Sequence, residues 1–294
     1  MDESLAKSTR KQYETALQRC LSFLREQLGV TATLPLSQHQ LHLYIANMYS
    51  NKYKHSTIMT HISAISHFHK LHNLPDPATT YATTKILNGV RNVQDIIPDT
   101  RLPITRQILQ GLLTVIKFCT VDRYQQQLFR SIFTLMYYAC LRASEVILTE
   151  TPEHIIQWSQ ITFSSDRKSF QLQFKSYKHS KDNNFKLKVT STSSIDCPVE
   201  NMNSYIAVRG HRPGPLYQVQ NKPLTRQQFT TTLNQCLKYI NLPYTQFNTH
   251  SFRIGRTTDM ATANVPHTTI KRIGRWKSNA FMKYVRPVIT STVP

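Results

Sequence analysis

The sequence is poor in acidic residues and in glycine. Its 294 residues hold 16 Asp and Glu against 36 Lys and Arg, a formal net charge of +20 at pH 7, and only seven glycines. It has neither a Gly-rich phosphate loop nor a cluster of carboxylates, so it predicts neither a nucleotide nor a metal cofactor. A positive charge of this size is typical of proteins that bind a polyanion, with nucleic acid as the first candidate.

Disulfide, export and membrane signals are also lacking. The five cysteines are widely spaced and form no C-x-x-C pair, which indicates free thiols in a reducing compartment. The opening stretch "MDESLAKSTRKQ" is polar throughout, so we expect no signal peptide. The longest mostly apolar run, 132–141, is half of the roughly 20 residues that a membrane span needs. These features predict an intracellular protein without a membrane segment, nuclear if its source is eukaryotic.

Charge and periodicity divide the chain into two parts. Residues 1–98 hold ten basic and six acidic residues, whereas 99–294 hold 26 and ten. Four segments within 1–95 repeat apolar residues at helical spacing, which predicts a helical bundle. The stretch 96–105 has two prolines and no periodicity, which indicates a linker. We therefore predict a helical domain at 1–95, a linker at 96–105 and a second domain at 106–294.

Polar residues mark the starts of two predicted helices in the first domain. Thr9 is followed three residues later by Gln12, and Ser37 by Gln40. This spacing is that of a capping box, in which the two side chains satisfy backbone N–H groups at the start of a helix.

The second part mixes helical and strand patterns. Residues 124–147 carry a continuous helical pattern, whereas 155–163, 169–178 and 185–191 alternate between polar and apolar residues. The turn-forming "HSKDNN" between the last two segments suits a β-hairpin. Further helical patterns cover about 197–209, 225–240, 250–263, 266–273 and 278–285. The predicted fold is therefore mainly α with a small β-sheet (α+β).

An H-x-x-R motif begins one of the late helices. In "THSFRIGRTTDMATANVP", Thr249 can act as the N-cap, and His250 and Arg253 lie three residues apart. This spacing places both side chains on one face at the electropositive start of a helix, where an anion is favoured. The motif is common by chance, so it needs the support of other motifs.

Three other motifs give that support. They are "ACLRASEV" with Arg142 and Glu145, "KSYKHSK" in the predicted hairpin, and "GRWKSNAFMKYVRP" with Tyr284. Together with H-x-x-R and in this order, they resemble the tyrosine recombinase/integrase superfamily over residues 100–287. "RLPIT" after the linker and "GRWKSNAFMKYVRP" are most similar to the recombinases of Crypton and DIRS-type mobile elements. The resemblance implies a SAM-like core-binding domain at 1–95 and a tyrosine recombinase catalytic domain at 106–294.

The resemblance also implies a catalytic set. Its members are Arg142, Lys178, His250, Arg253, Trp276 and Tyr284, with Glu145 as a buried partner that orients basic side chains. Lys175 and Lys181 are alternatives to Lys178 in the hairpin, and Arg275 is an alternative to Trp276. In this scheme Tyr284 attacks a DNA phosphodiester and forms a 3′-phosphotyrosine. The arginines bind the phosphate, Lys178 protonates the leaving 5′-oxygen, and His250 or water accepts the tyrosine proton.

The remaining expectations concern DNA and assembly. Basic residues expected to contact the DNA backbone are Lys175, Lys181, Arg256, Lys271, Arg272, Arg275, Lys277, Lys283 and Arg286. The resemblance implies double-stranded DNA as the partner and a homo-tetramer on two DNA sites, with no cofactor and no metal. Two alternatives remain: a catalytically silent DNA-binding protein of the same fold, and a type IB topoisomerase-like enzyme that relaxes DNA.

Overall fold

The chain folds into two compact units, Met1–Pro98 and Asp99–Pro294, which we call the helical unit and the mixed unit. A computed structural model of the chain describes residues 5–29, 33–94, 99–149, 152–175 and 184–287. The mostly helical fold with a small sheet confirms the predicted α+β class.

Four α-helices build the helical unit. They are α1 (Lys7–Leu28), α2 (Gln38–Ser50), α3 (His55–Leu71) and α4 (Tyr81–Val93), with a 3-10 helix at Pro77–Thr79. Ser37 and Gln40 form the predicted capping box at the start of α2. The capping box predicted for Thr9 and Gln12 is wrong, because α1 already begins at Lys7 and has no side-chain cap.

The apolar faces of these helices meet in one core. Leu24, Ile45, Ile58 and Ile65 are fully buried there. The buried His69 is part of the same interior: the Leu36 N–H donates to its Nε2 at 2.9 Å, and its Nδ1 lies 2.8 Å from the Ile65 carbonyl oxygen. An accepting Nε2 requires the hydrogen on Nδ1, so this ring is a satisfied core histidine.

The mixed unit contains seven α-helices in its described residues. They are α5 (Arg106–Val115), α6 (Arg123–Tyr138), α7 (Ala143–Val146), α8 (Pro198–Arg209), α9 (Arg226–Tyr239), α10 (Ser251–Thr262) and α11 (His267–Gly274). Short 3-10 helices lie at Ile116–Phe118, Pro152–His154, Trp158–Gln160, Tyr244–Gln246 and Asn279–Tyr284. Helix α6 is the centre of the core, with seven consecutive buried residues from Ser131 to Tyr137.

A three-stranded antiparallel sheet lies between α7 and α8 in the chain. Its strands are β1 (Ile161–Phe163), β2 (Ser169–Phe174) and β3 (Phe185–Thr190), in the order β1-β2-β3. A second sheet pairs β4 (Gln218–Val219) with β5 (Lys222–Pro223). The β2–β3 register places Leu172 opposite Leu187 and Phe170 opposite Val189, all buried. Alternation of buried and exposed residues along β2 and β3 follows from the two-residue period of a strand.

The helix predicted for 124–147 is interrupted, so that prediction is wrong. Helix α6 ends at Tyr138, and α7 begins only at Ala143. Between them Cys140 has a φ of 46°, a left-handed conformation that a continuing α-helix does not accept. The interruption turns the Cys140 carbonyl away from the helical ladder, where arginine side chains reach it.

Residues 99–105 of the predicted linker belong to the mixed unit and pack against the rest of it. The Leu102 N–H donates to the Gln246 carbonyl and the Ile104 N–H to the Ser251 carbonyl, both at 2.9 Å. Ile104 is fully buried, and a Cβ added to Gly255 would lie 1.7 Å from the Ile104 carbonyl oxygen. The glycine is therefore required for the close approach between residues 99–105 and α10.

Candidate active site

Three residues of the predicted catalytic set, His250, Arg253 and Trp276, lie around Tyr284. The Tyr284 ring centroid lies 5.0 Å from that of His250 and 5.3 Å from that of Trp276. The Arg253 guanidinium lies 3.9 Å from the centre of the Trp276 ring and 5.6 Å from that of Tyr284. Tyr284 is the last residue of the 3-10 helix Asn279–Tyr284 and is half-buried, whereas the sequence predicted a helix at 278–285 without this tighter geometry.

The start of α10 fixes His250 and Arg253. His250 itself is the N-cap, so the prediction that Thr249 would cap the helix is wrong. The Asn248 side chain takes that role in part, because its Oδ1 accepts a 2.8 Å hydrogen bond from the His250 N–H. His250 and Arg253 lie one turn apart, which accounts for their shared neighbour Tyr284.

Glu145 holds two of the arginines. Its carboxylate accepts hydrogen bonds from Arg142 Nη1 at 3.2 Å and from Arg275 Nη2 at 2.7 Å. Its Oε2 also accepts from the Arg142 backbone N–H at 2.8 Å, which fixes the start of α7. Glu145 is buried, so these bonds hold the Arg142 and Arg275 guanidiniums inside the fold.

The Cys140 carbonyl joins Arg253 to the same cluster. Arg253 Nη1 donates to this oxygen, and Arg253 Nη2 donates to the Gly274 carbonyl at 2.6 Å. Arg275 Nη2 also lies 3.5 Å from the Cys140 oxygen. The interruption between α6 and α7 therefore supplies the acceptor that aligns Arg253.

The arginine cluster has an excess of positive charge. Among the described residues, Glu145 is the carboxylate bonded to Arg142 and Arg275, and Arg253 is bonded to carbonyls. Burial, together with the nearby charges of Arg142 and Arg275, lowers the pKa of Arg253 to about 10. Buried charges without full compensation are costly, and an anion bound beside them would reduce that cost. The cluster is therefore suited to a phosphate group.

His250 is neutral at pH 7. Burial, followed by the positive charges of Arg101 and Arg253, lowers its pKa from 6.5 to about 4. A neutral imidazole can accept a proton, whereas an imidazolium cannot. A DNA phosphate bound nearby would raise this pKa again, because a negative charge favours the protonated ring.

Trp276 and Arg275 occupy different places. Trp276 is half-buried against Tyr284, and a Cβ added to Gly274 would lie 1.6 Å from the indole. Arg275 has a φ of 56°, in the left-handed region where glycine is preferred at helix ends. Its side chain is fully buried, with the guanidinium 4.1 Å from the centre of the Phe174 ring. Trp276 therefore contacts the tyrosine side of the site, and Arg275 the Glu145 side.

The structure separates the residues predicted to contact DNA into several groups. Those exposed at the surface are Lys175, Arg272, Lys277 and Lys283. Lys271 is half-buried, and Arg256 lies over the rings of Tyr137 and Tyr138. Arg275 is interior, which is not the surface position that a backbone contact needs. Lys178 and Lys181 lie outside the described residues.

Two residues near the site were not singled out from the sequence. The Asp99 carboxylate accepts from Arg101 Nε at 2.7 Å and from Arg286 Nη2 at 2.5 Å. Arg101 is also the first of the charged groups that lower the pKa of His250. Arg101 opens the "RLPIT" motif and Asp99 lies two residues before it, but nothing in this stretch indicates that Asp99 contacts Arg286, 187 positions later.

The fold and these motifs together define a family. The Phage integrase family matches residues 111–287, and the N-terminal SAM-like domain of phage integrases matches residues 1–72. The chain therefore belongs to the Phage integrase family. No curated protein sequence matches the chain significantly.

Solved structures of DNA complexes have the same fold. The Tn1549 transposon integrase in complex with transposon right end DNA aligns with a TM-score of 0.66 at 14% identity, over 97% of this chain and 91% of that one. XerH site-specific recombinase bound to difH substrate gives a TM-score of 0.62 at 12% identity, over 94% and 76%. A lambda integrase dimer bound to a core site gives 0.62 at 13% identity, over 96% and 72%.

Two features are absent from the described residues. No helix there combines the length and apolar character that a membrane crossing requires. Within the same residues, His, Cys, Asp and Glu side chains form no group of three or more that could hold a metal ion.

Proposed function

We propose that the protein is a site-specific DNA recombinase or integrase that cleaves and rejoins DNA through a 3′-phosphotyrosine. The observation that carries the proposal is the convergence of His250, Arg253 and Trp276 around Tyr284, next to the cluster built on Glu145. A protein that only binds DNA has no need of a tyrosine beside a neutral histidine and buried guanidiniums. Family membership and the fold support the proposal.

The proposed reaction is a transesterification. The Tyr284 Oη attacks the phosphorus, the bond to the 5′-oxygen breaks, and the 3′-phosphate remains covalently attached to the tyrosine. Arg142 and Arg253 bind the non-bridging oxygens, where negative charge concentrates in the transition state. Their planar guanidiniums provide two parallel donors each, which a lysine ammonium does not. The indole N–H of Trp276 is a further donor to the phosphate.

Proton transfer requires a base and an acid. His250 or a water molecule accepts the Tyr284 proton, since a phenol with an ordinary pKa of about 10 is a poor nucleophile at neutral pH. A hairpin lysine donates the proton that the leaving 5′-oxygen takes up. We assign this role to Lys178, with Lys175 and Lys181 as the alternatives. Each such proton transfer is typically worth about 10²–10⁴-fold in rate.

The proposed partner is double-stranded DNA, bound by both units. The exposed Arg272, Lys277 and Lys283 near Tyr284 are suited to phosphate contacts. The helical unit takes the core-binding role in this proposal, in line with its match to a SAM-like domain. We further propose a homo-tetramer on two DNA sites, a role in integration or excision of a mobile element of Crypton or DIRS type, and a nuclear location in a eukaryotic source.

A covalent-trapping experiment tests the proposal. Wild-type protein incubated with a nicked duplex of its recombination site, without metal or nucleotide, should give a protein–DNA band that survives denaturation. Tyr284→Phe should give no band, because it lacks only the attacking oxygen. Tyr239→Phe, which changes an exposed tyrosine on α9, is the matched control and should retain the band. Absence of the band for wild type, or its presence for Tyr284→Phe, would contradict the proposed chemistry.

A further inference from the structure

The backbone of Tyr284 and of Arg286 is hydrogen-bonded to helix α10 of the mixed unit. The buried Thr258 of α10 accepts a 3.1 Å hydrogen bond from the Arg286 N–H and donates to the Tyr284 carbonyl at 3.3 Å. Arg286 also closes its own turn, with Nη1 donating to the Lys283 carbonyl at 2.7 Å. These bonds hold the backbone at 284–286. The Arg286 side chain makes a further contact outside this turn.

The Arg286 side chain ends on Asp99, at the opposite end of the mixed unit in sequence. Asp99 Oδ2 accepts from Arg286 Nη2 at 2.5 Å, and the same carboxylate accepts from both Nε and Nη2 of Arg101, at 2.7 and 2.8 Å. The Arg286 side chain is 18% exposed and the Asp99 side chain 36%, so water reaches this contact in part. One carboxylate thus joins two guanidiniums.

The residues that follow Asp99 are hydrogen-bonded to α10 and to residues near it. Leu102 and Ile104 are hydrogen-bonded to residues just before and at the start of α10, and Gly255 allows the Ile104 carbonyl to approach that helix. The Arg106 N–H donates at 2.7 Å to Asp259, which lies one turn after Gly255 on α10. Because these residues are fixed shortly after Asp99, the contact with Asp99 restrains Arg286 at its other end.

We propose that Asp99 is a positioning residue for Tyr284, binding Arg286 to hold the nucleophile segment 279–287 and binding Arg101 to keep its positive charge beside His250 and Tyr284. This inference rests on the proposed function, since it concerns the same nucleophile. No motif used above assigns a role to Asp99 or Arg101.

The electrostatics of the three groups agree with this geometry. Arg101, held by Asp99, has a raised pKa, to which Asp99 contributes most and the Tyr284 side chain also contributes. The two arginines hold the pKa of Asp99 well below its usual range, so the carboxylate stays charged at any pH at which the protein works. A fixed cation near the tyrosine hydroxyl stabilises the negative charge that develops there as the proton leaves.

The first test measures the segment itself, independently of chemistry. Hydrogen exchange of the peptide 279–287 should be faster in Asp99→Asn and in Arg286→Met than in wild type, with exchange of α6 unchanged. Asp166→Asn is the matched control, because Asp166 is an exposed carboxylate in the β1–β2 turn. Exchange rates in both variants equal to those of the control would overturn the proposal.

The second test measures cleavage. Asp99→Asn and Arg286→Met should each slow covalent-complex formation by roughly 10–100-fold, the range that a small misplacement of a reacting group produces. The double variant should be no slower than the slower single variant, since Asp99→Asn already removes the contact with Arg286. Multiplicative losses would mean that the two residues act separately, and would overturn the contact as the cause.

A third test separates positioning from a general loss of structure. Arg101 lowers the pKa of His250 and Asp99 raises it. The His250 ring, followed by NMR in the free protein, should therefore titrate at a higher pH in Arg101→Met than in wild type. An unchanged titration of His250 in Arg101→Met would contradict the arrangement. If wild type forms no covalent complex, the proposed function fails, but the exchange and titration results still decide whether Asp99 organises this segment.

Discussion

Arg275 supports the candidate active site from inside the fold. It lies in a left-handed conformation, which costs a non-glycine residue about 1–2 kcal/mol. The buried bonds of its guanidinium to Glu145 and to the carbonyls of Ala139 and Cys140 offset that cost. Because Glu145 also binds Arg142, the loss of Arg275 would disturb a residue proposed to bind phosphate.

Replacement of Arg275 therefore tests how much its buried contacts stabilise the fold, and replacement of Arg272 is the surface control. Arg275→Met should lower the free energy of unfolding by about 3 kcal/mol, because it leaves a buried carboxylate with one partner fewer. Arg272→Met, at an exposed position on α11, should change it by no more than about 0.5 kcal/mol. Urea unfolding of both variants measures the difference, and equal values would mean that Arg275 is a surface residue in solution.

His250 makes a pH-dependent contribution to stability. Its pKa is about 4 in the folded protein and about 6.5 in the unfolded chain, so the unfolded chain binds the proton first as the pH falls. The contribution is therefore fully present above about pH 6.5 and is lost as the pH falls towards 4. We expect wild type to lose more stability over this window than His250→Asn, in urea unfolding at several pH values. Parallel curves for the two proteins would contradict the lowered pKa.

At the scale of elements, the site depends on close approach between segments distant in the chain. Helix α10 supplies His250 and Arg253, and residues 99–105 run along it with Ile104 buried. Gly255 makes that approach possible, because any side chain there would overlap the Ile104 carbonyl. The interruption between α6 and α7 also joins distant segments, because it leaves the Cys140 carbonyl free to accept a hydrogen bond from Arg253.

A methyl group at Gly255 should therefore be strongly unfavourable. Gly255→Ala places its Cβ against backbone atoms, which cannot rotate away, and should cost at least about 2 kcal/mol. Gly111→Ala is the control: it also lies within an α-helix of the mixed unit, but its nearest neighbour would be the Ile240 side chain at 3.7 Å. It should stabilise the protein by about 0.5–1 kcal/mol. Thermal unfolding distinguishes these outcomes, and a neutral effect of Gly255→Ala would contradict the packing.

At the scale of the whole molecule, the charge is the dominant feature. The excess of 20 positive charges is concentrated in the mixed unit, and it includes the guanidiniums of the interior cluster, where Glu145 binds Arg142 and Arg275. A protein with this distribution repels itself until a polyanion neutralises it. DNA binding should therefore release many counterions.

The salt dependence of DNA binding measures this effect. A plot of log affinity against log salt concentration should fall with a slope of about −0.9 for each phosphate neutralised. Lys277→Gln, at an exposed position next to Trp276, should reduce the magnitude of the slope by about one. Fluorescence anisotropy with a labelled duplex gives both slopes. A nearly flat response of wild type would argue against a phosphate-binding surface.

The sequence alone determined much of this protein. The α+β class, the capping box at Ser37 and the three strands of the main sheet follow from local patterns, because periodicity and capping depend on residues a few positions apart. The order of Arg142, the lysine hairpin, H-x-x-R and Tyr284 was sufficient to indicate a recombinase-like site. That inference depends on the types of these residues and on their order in the chain, and it needs no knowledge of their positions in space.

Only the tertiary structure decided how these residues are supported. The bond from Arg275 to Glu145 spans 130 positions and that from Arg286 to Asp99 spans 187, and no local pattern encodes either. Arg275 and Trp276 are neighbours in sequence, yet the left-handed turn at Arg275 directs one to Glu145 and the other to Tyr284. Burial determines which partners these arginines bind, because a charged side chain inside the protein needs a polar partner and the fold sets which one is near.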